Sequence, residues 1–145
     1  MTIDATNAPL SKRLKAKTGE THDRLDNRIM AADPFADRAR YGRFLRMQRQ
    51  FHRDVDALYG QESLAVLIPD LAGRGRLQAV EQDLADLGLE PSLADGPPRF
   101  AAVADDLPAA IGWLYVAEGS NLGAAFLFKA ALKLGLGETF GARHL

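Results

Sequence analysis

The run Trp113-Leu114-Tyr115-Val116-Ala117-Glu118-Gly119-Ser120-Asn121-Leu122-Gly123-Ala124-Ala125-Phe126-Leu127-Phe128-Lys129 decides how the chain is read. Its pattern is helical, and with Asp106 ahead of it and Pro108 in the first turn it predicts one long helix reaching about Leu134. Gly112, Gly119, Gly123 and Ala130 fall within an arc of roughly 40° on the helical wheel. Each glycine inside a helix costs about 1 kcal/mol relative to alanine, so a stripe of them requires a compensating contact. Two contacts fit: another helix crossing over small residues, or a flat or bulky ligand lying against the backbone. The segment Glu118 to Gly123 also invites a kink that turns carbonyls and Ser120 toward whatever lies on the stripe. A phosphate-binding loop is excluded, because these glycines lie inside a helical pattern and lack the Lys and Ser/Thr that would follow in that motif.

Outward from this run the helical period continues and no stretch alternates with period two, so the fold class is all-α. A first helix is expected from Ser11, as N-cap, to Ala32, before Asp33-Pro34. A second follows Phe35 and ends at Tyr59 before Gly60, a short third spans Glu62 to Ile68, and a fourth runs from Arg74 to Leu87, capped by Gly88. Gly88 to Arg99, with three prolines, is the longest loop signal. The 145 residues are expected to form a single domain with an N-terminal tail over residues 1–10.

Composition narrows the chemistry. There are no cysteines, which removes disulfides, thiolate metal sites and cysteine nucleophiles together. Lys plus Arg at 18 against Asp plus Glu at 19 leaves a net charge of -1, with no field to hold a nucleic acid. No apolar run is long enough for a bilayer and no targeting signal opens the chain, so a cytoplasmic location is expected and no membrane partner.

On the first helix Leu14, Thr18, His22, Leu25 and Ile29 share one arc, with a histidine in its middle. A core histidine satisfied by hydrogen bonds is the plain reading. Asp26, one turn on, favours a ligand: its carboxylate can accept Nδ1–H and leave Nε2 for a metal. Lys15, about 10 Å back along the axis, reaches an anionic group at the rim of a large ligand, though solvated charge is the alternative for both residues. The second helix places Gln48 and His52 on or beside an apolar face made by Phe44, Phe51, Val55 and Leu58, where polar groups need partners such as each other or water. Its opposite side carries Arg43, Arg46, Arg49 and Arg53, either a solvated face or a docking patch for an acidic protein.

Together these features resemble the heme oxygenase family in its bacterial biliverdin-forming branch. Leu14-Lys15-Ala16-Lys17-Thr18 followed by His22 is similar to the segment that holds the family's proximal heme ligand, and Trp113 to Lys129 is similar to its distal helix. The resemblance implies a heme oxygenase-like helical bundle and oxidative cleavage of heme to biliverdin, carbon monoxide and ferrous iron. Heme serves as both substrate and cofactor, with O2 and electrons from a reductase or ferredoxin. It implies that His22 ligates the iron and Asp26 orients it, that Lys15 and Tyr115 contact propionates, and that Gly119, Ser120 and Gly123 let the distal helix lie over the porphyrin. Gln48 and His52 then belong to a distal water network, which carries protons because Ser120 stands where mammalian relatives have an aspartate. Family members continue through further C-terminal helices, so a chain stopping at Leu145 is expected to lack the last of them. A non-catalytic heme carrier of the same fold, or a helical interaction module without heme, are the alternatives.

Overall fold

The computed structural model describes residues 7–91 and 96–145. Most of the expected N-terminal tail and the middle of the Gly88 to Arg99 loop lie outside the described residues. Two compact units make up the chain, one ending at Pro34 and the other spanning Phe35–Leu145.

The first unit contains α1 (Leu10–Ala31). Its N-cap is Pro9, whose carbonyl accepts the Arg13 N–H at 3.1 Å, so Ser11 lies inside the helix and is not its cap. The proline's fixed φ already aims the chain into the first turn. No residue of α1 is buried, and Leu25, expected on an inward face, is 57% exposed. A lone helix has no second element within its own unit to bury against.

The second unit holds α2 (Arg38–Tyr59), α3 (Glu62–Ala65), a 3-10 turn at Leu71–Arg74, α4 (Leu77–Asp86), a second 3-10 turn at Ala101–Val103 and α5 (Leu107–Leu132). The described residues include no strand, only two isolated bridges in the turn at Gly137–Gly141. Asp37 starts α2 two residues later than the sequence suggests, because its carboxylate caps the Arg40 N–H at 2.8 Å. α3 is shorter than expected, and Arg74 belongs to the 3-10 turn, since extended Gly75 separates that turn from α4. Gly88, with φ of 65°, closes α4 as expected: its N–H reaches Ala85 O, and the Leu89 N–H reaches Leu84 O at 2.9 Å. α5 is one unbroken helix through Glu118 to Gly123, capped by Asp106 with Pro108 in its first turn.

α2 is the central element of this unit. Val55, Leu58 and Tyr59 join Leu64, Leu71, Ala104, Ala110, Leu114 and Ala117 in one core, with Phe51, Phe100 and Trp113 packed against it. The other half of α2, Tyr41 and Leu45, is fully buried, as are Val80 and Leu84 of α4 and the C-terminal Ala142. Tyr41 donates its hydroxyl to Gly141 O at 2.7 Å, which ties the C-terminal turn back to α2. No described helix is long and apolar enough to cross a membrane.

Candidate functional site

The small-residue stripe of α5 faces open space. A Cβ built on Gly112, Gly119 or Gly123 meets no heavy atom within 4 Å. No other element of the second unit comes within 4 Å of these positions, so within that unit close helix crossing, one of the two compensating contacts the sequence allows, is absent among the described residues. Beside the stripe, Leu122 and Phe126 are 79% and 81% exposed, Ser120 is exposed and Tyr115 half-buried. Apolar side chains left in water next to bare backbone form a surface suited to a flat apolar ligand.

Next to it lies a small polar pocket of about 270 Å³, lined by Gly73, Arg74, Arg76, Glu118, Asn121 and Leu122. Glu118 accepts the Tyr59 hydroxyl at 3.5 Å, and burial followed by the Glu118 charge pushes that phenol up to about 12 while Arg74 and Arg76 oppose the shift. Sequence reasoning missed this pocket. Arg74 and Arg76 read there as the start of a helix, and only the Gly75 break turns both guanidinium groups into neighbours of α5.

His52 is 2% exposed, and burial, then the charges of His144 and Arg76, lower its imidazole to about 4. It is therefore neutral at physiological pH. Gln48 is half-buried one turn away, yet no hydrogen bond joins the two, and His52 Nδ1 has no partner among the described residues. Of the two partners the sequence allows for them, each other or water, the mutual i,i+4 hydrogen bond is not formed among the described residues.

In the first unit, Lys15, His22 and Asp26 are exposed on α1. The carboxylate nearest the imidazole is that of Asp23, whose Oδ1 lies 3.3 Å from His22 Nδ1; Asp26 has no hydrogen-bonded partner among the described residues. Asp26 follows at the helical i,i+4 spacing, but the adjacent residue takes the contact.

The basic side of α2 is less free than its sequence suggests. Arg49 bonds Glu81 of α4 at 3.1 Å, Arg46 donates to Glu90 O at 3.1 Å and Arg53 to Gly96 O at 2.6 Å. These arginines fasten α4 and the loop after it to α2, which corrects the expectation of a purely solvated or docking face. A shallow groove of about 450 Å³ lined by Phe51, Asp54, Arg99, Phe100 and Trp113, among others, shares no residue with the stripe.

The family model described as heme oxygenase matches residues 8–145. Heme oxygenase PigA of Pseudomonas aeruginosa is 48% identical over 93% of this chain and 67% of its own length. A solved structure of heme oxygenase from Neisseria meningitidis, studied in its NO- and CO-bound forms, superposes with a TM-score of 0.83 at 48% identity, over 92% of this chain and 65% of that one. The chain thus spans about two thirds of the length of these relatives. A match that runs through the α1 histidine segment and the open glycine face of α5, with this identity and this agreement of fold, establishes that the chain belongs to the heme oxygenase family.

Proposed function

We propose that this chain binds heme and cleaves it to biliverdin, carbon monoxide and ferrous iron, using O2 and electrons from a separate reductase or ferredoxin. The observation that carries the reading is the unfilled backbone surface at Gly112, Gly119 and Gly123, in a chain matched to the family from residue 8 to its end. A porphyrin face needs a wall without side chains, and three glycines on one helical face supply it.

In this reading His22 ligates the iron, and Asp23 joins Asp26 in holding the imidazole so that Nδ1 keeps its proton and Nε2 stays available. Lys15 and Tyr115 meet the propionates, one by charge and one by its hydroxyl. Gly119, Ser120 and Gly123 admit the ring to α5. The bound heme supplies the oxygen-activating iron and is itself the carbon skeleton that is opened. Protein side chains orient it, exclude water and move protons. His52, neutral at pH 7 because burial lowers it to about 4, relays protons and does not store them, with Gln48 beside it. Arg74, Arg76, Glu118 and Asn121 extend the same polar edge along α5. The electron donor docks on basic surface where Arg43 remains exposed, and the protein is placed in the cytoplasm.

Adding heme to the chain tests the reading directly. Coordination by His22 is expected to give an intense Soret band that His22→Ala loses. Reductant in air is expected to bleach the band as bilin absorbance grows. A Soret band that persists through repeated reduction in air would instead mark a heme carrier, a reading that no observation here favours.

A further inference from the structure

Past the small-residue stripe, α5 runs on to a second anchorage. Ala110, Leu114 and Ala117 hold its first half in the core, and after Ala117 the only buried residues of the helix are Ala124 and Ala131. From Ala117 to Ala131 the axis advances about 21 Å at 1.5 Å per residue. That span contains Gly119 and Gly123, its two poorest helix formers, and carries the exposed Leu122 and Phe126. A stretch so weak in itself keeps its place only if its far end is fixed.

An ionic clasp fixes it. α5 stops at Gly135, with φ of 75°, where the Gly135 N–H reaches Leu132 O at 3.0 Å and the Leu136 N–H reaches Ala131 O at 3.2 Å. Arg38, at the start of α2, donates to Leu134 O at 3.1 Å. The chain then returns to α4, where Asp83, 0% exposed, and half-buried Asp86 receive it one turn apart. Asp83 Oδ1 accepts the Arg143 backbone N–H at 2.9 Å and the Arg143 guanidinium at 3.3 Å. Its Oδ2 accepts the His144 backbone N–H at 3.1 Å and lies 2.8 Å from His144 Nδ1. Asp86 accepts the Gly141 N–H at 2.8 Å and takes the same Arg143 guanidinium. Bonds to ionised groups are roughly twice as strong as neutral ones, and a fully buried carboxylate tolerates only arrangements that keep both oxygens paired. The clasp therefore admits one register of the turn on α4.

We propose that Asp83 and Asp86 are positioning residues for the open face of α5: by clasping Arg143 and His144 they fix the far end of the helix, and with it the height of the Gly119 to Gly123 backbone above a ligand on the stripe. The clasp stands on the geometry; that the ligand is heme rests on the function proposed above.

Hydrogen exchange of the heme-free chain is the first test. In Asp86→Asn the amides from Ala124 to Leu132 are expected to exchange at least about tenfold faster, while those from Ala110 to Ala117 keep their rates. Arg143→Gln should do the same, and Arg143→Lys, which keeps a cation between the two carboxylates, should recover most of the protection. The second test is release of bound heme to excess apomyoglobin, expected to quicken several-fold in Asp86→Asn and Arg143→Gln and to return toward the parent rate in Arg143→Lys. Asp83→Asn should give the same pattern more strongly, but the test does not depend on its folding. Exchange that rises equally along all of α5, or only in residues 137–145, would overturn the proposal, as would unchanged heme release from a chain whose α5 has loosened. A parent chain that takes up no heme would count against the oxygenase reading, while the exchange pattern would still decide whether the clasp holds α5.

Discussion

Beyond its own helical turn, Gly119 has no protein atom within 4 Å of the place where a side chain would begin, so a Cβ is accommodated there and the further carbons of Gly119→Leu extend over the stripe. Leucine is also the better helix former by about 0.8 kcal/mol. The variant is therefore expected to keep its helix content and unfold at the same or a higher temperature while losing heme binding and turnover, which circular dichroism and heme titration together measure. Normal turnover would show that the stripe does not face the ring. His52 makes a different prediction. Its folded value of about 4 lies below the ordinary 6.5, so the unfolded chain takes up a proton first as pH falls. Its contribution to stability is intact above about 6.5 and drains away down to about 4, by about 3 kcal/mol in all. His52→Gln should flatten the dependence of the unfolding midpoint on pH in that window, and an unchanged slope would assign the acid sensitivity elsewhere.

At the scale of elements, α5 keeps its glycines because its ends are secured and its other side is packed. Asp106 accepts the Ala109 N–H at 3.3 Å, and Ala110, Leu114 and Ala117 are buried in the core. Asp106→Ala is expected to cost about 1 kcal/mol, read as a lower denaturation midpoint with the urea m-value unchanged. α2 and α4 are joined along their polar sides by Arg49 and Glu81. Such a partly exposed pair contributes at most about 1 kcal/mol, so Arg49→Ala should shift stability only slightly. If electron transfer uses the exposed part of this face, Arg43→Glu should slow donor-driven turnover at low salt and less so at high salt. Turnover indifferent to both charge and salt would remove the face from donor docking.

Across the second unit, stability rests on α2 lying between α4 and α5. Leu58 is fully buried in the core, and Leu58→Ala is expected to cost about 3 kcal/mol through lost burial and the cavity left behind. Calorimetry checks this. The C-terminal turn closes the opposite end: Gly141 takes φ of 76°, a conformation that favours glycine, and a side chain there would also displace the end of Leu136, whose Cδ2 lies 2.8 Å from the Cβ position. Its N–H bonds Asp86 while its carbonyl accepts from Tyr41, which links three separate segments.

The sequence by itself determined the helical class, the stops at Gly60 and Gly88, the caps that start α5, and the glycine stripe, because these depend on residues within a few positions of one another. It also carried the family resemblance, whose motifs are local runs. Only the tertiary structure decided what the stripe faces, since periodicity shows that a backbone is bare and not whether another helix covers it. It decided likewise that three of the α2 arginines are spent on α4 and the following loop, that Arg74 and Arg76 reach the edge of α5, and that His52 is neutral and shares its burial with Asp83 and His144. Those partners lie tens of residues away along the chain. Burial and charge act through space, so a side chain's protonation and its partners are set by contacts that sequence spacing does not encode.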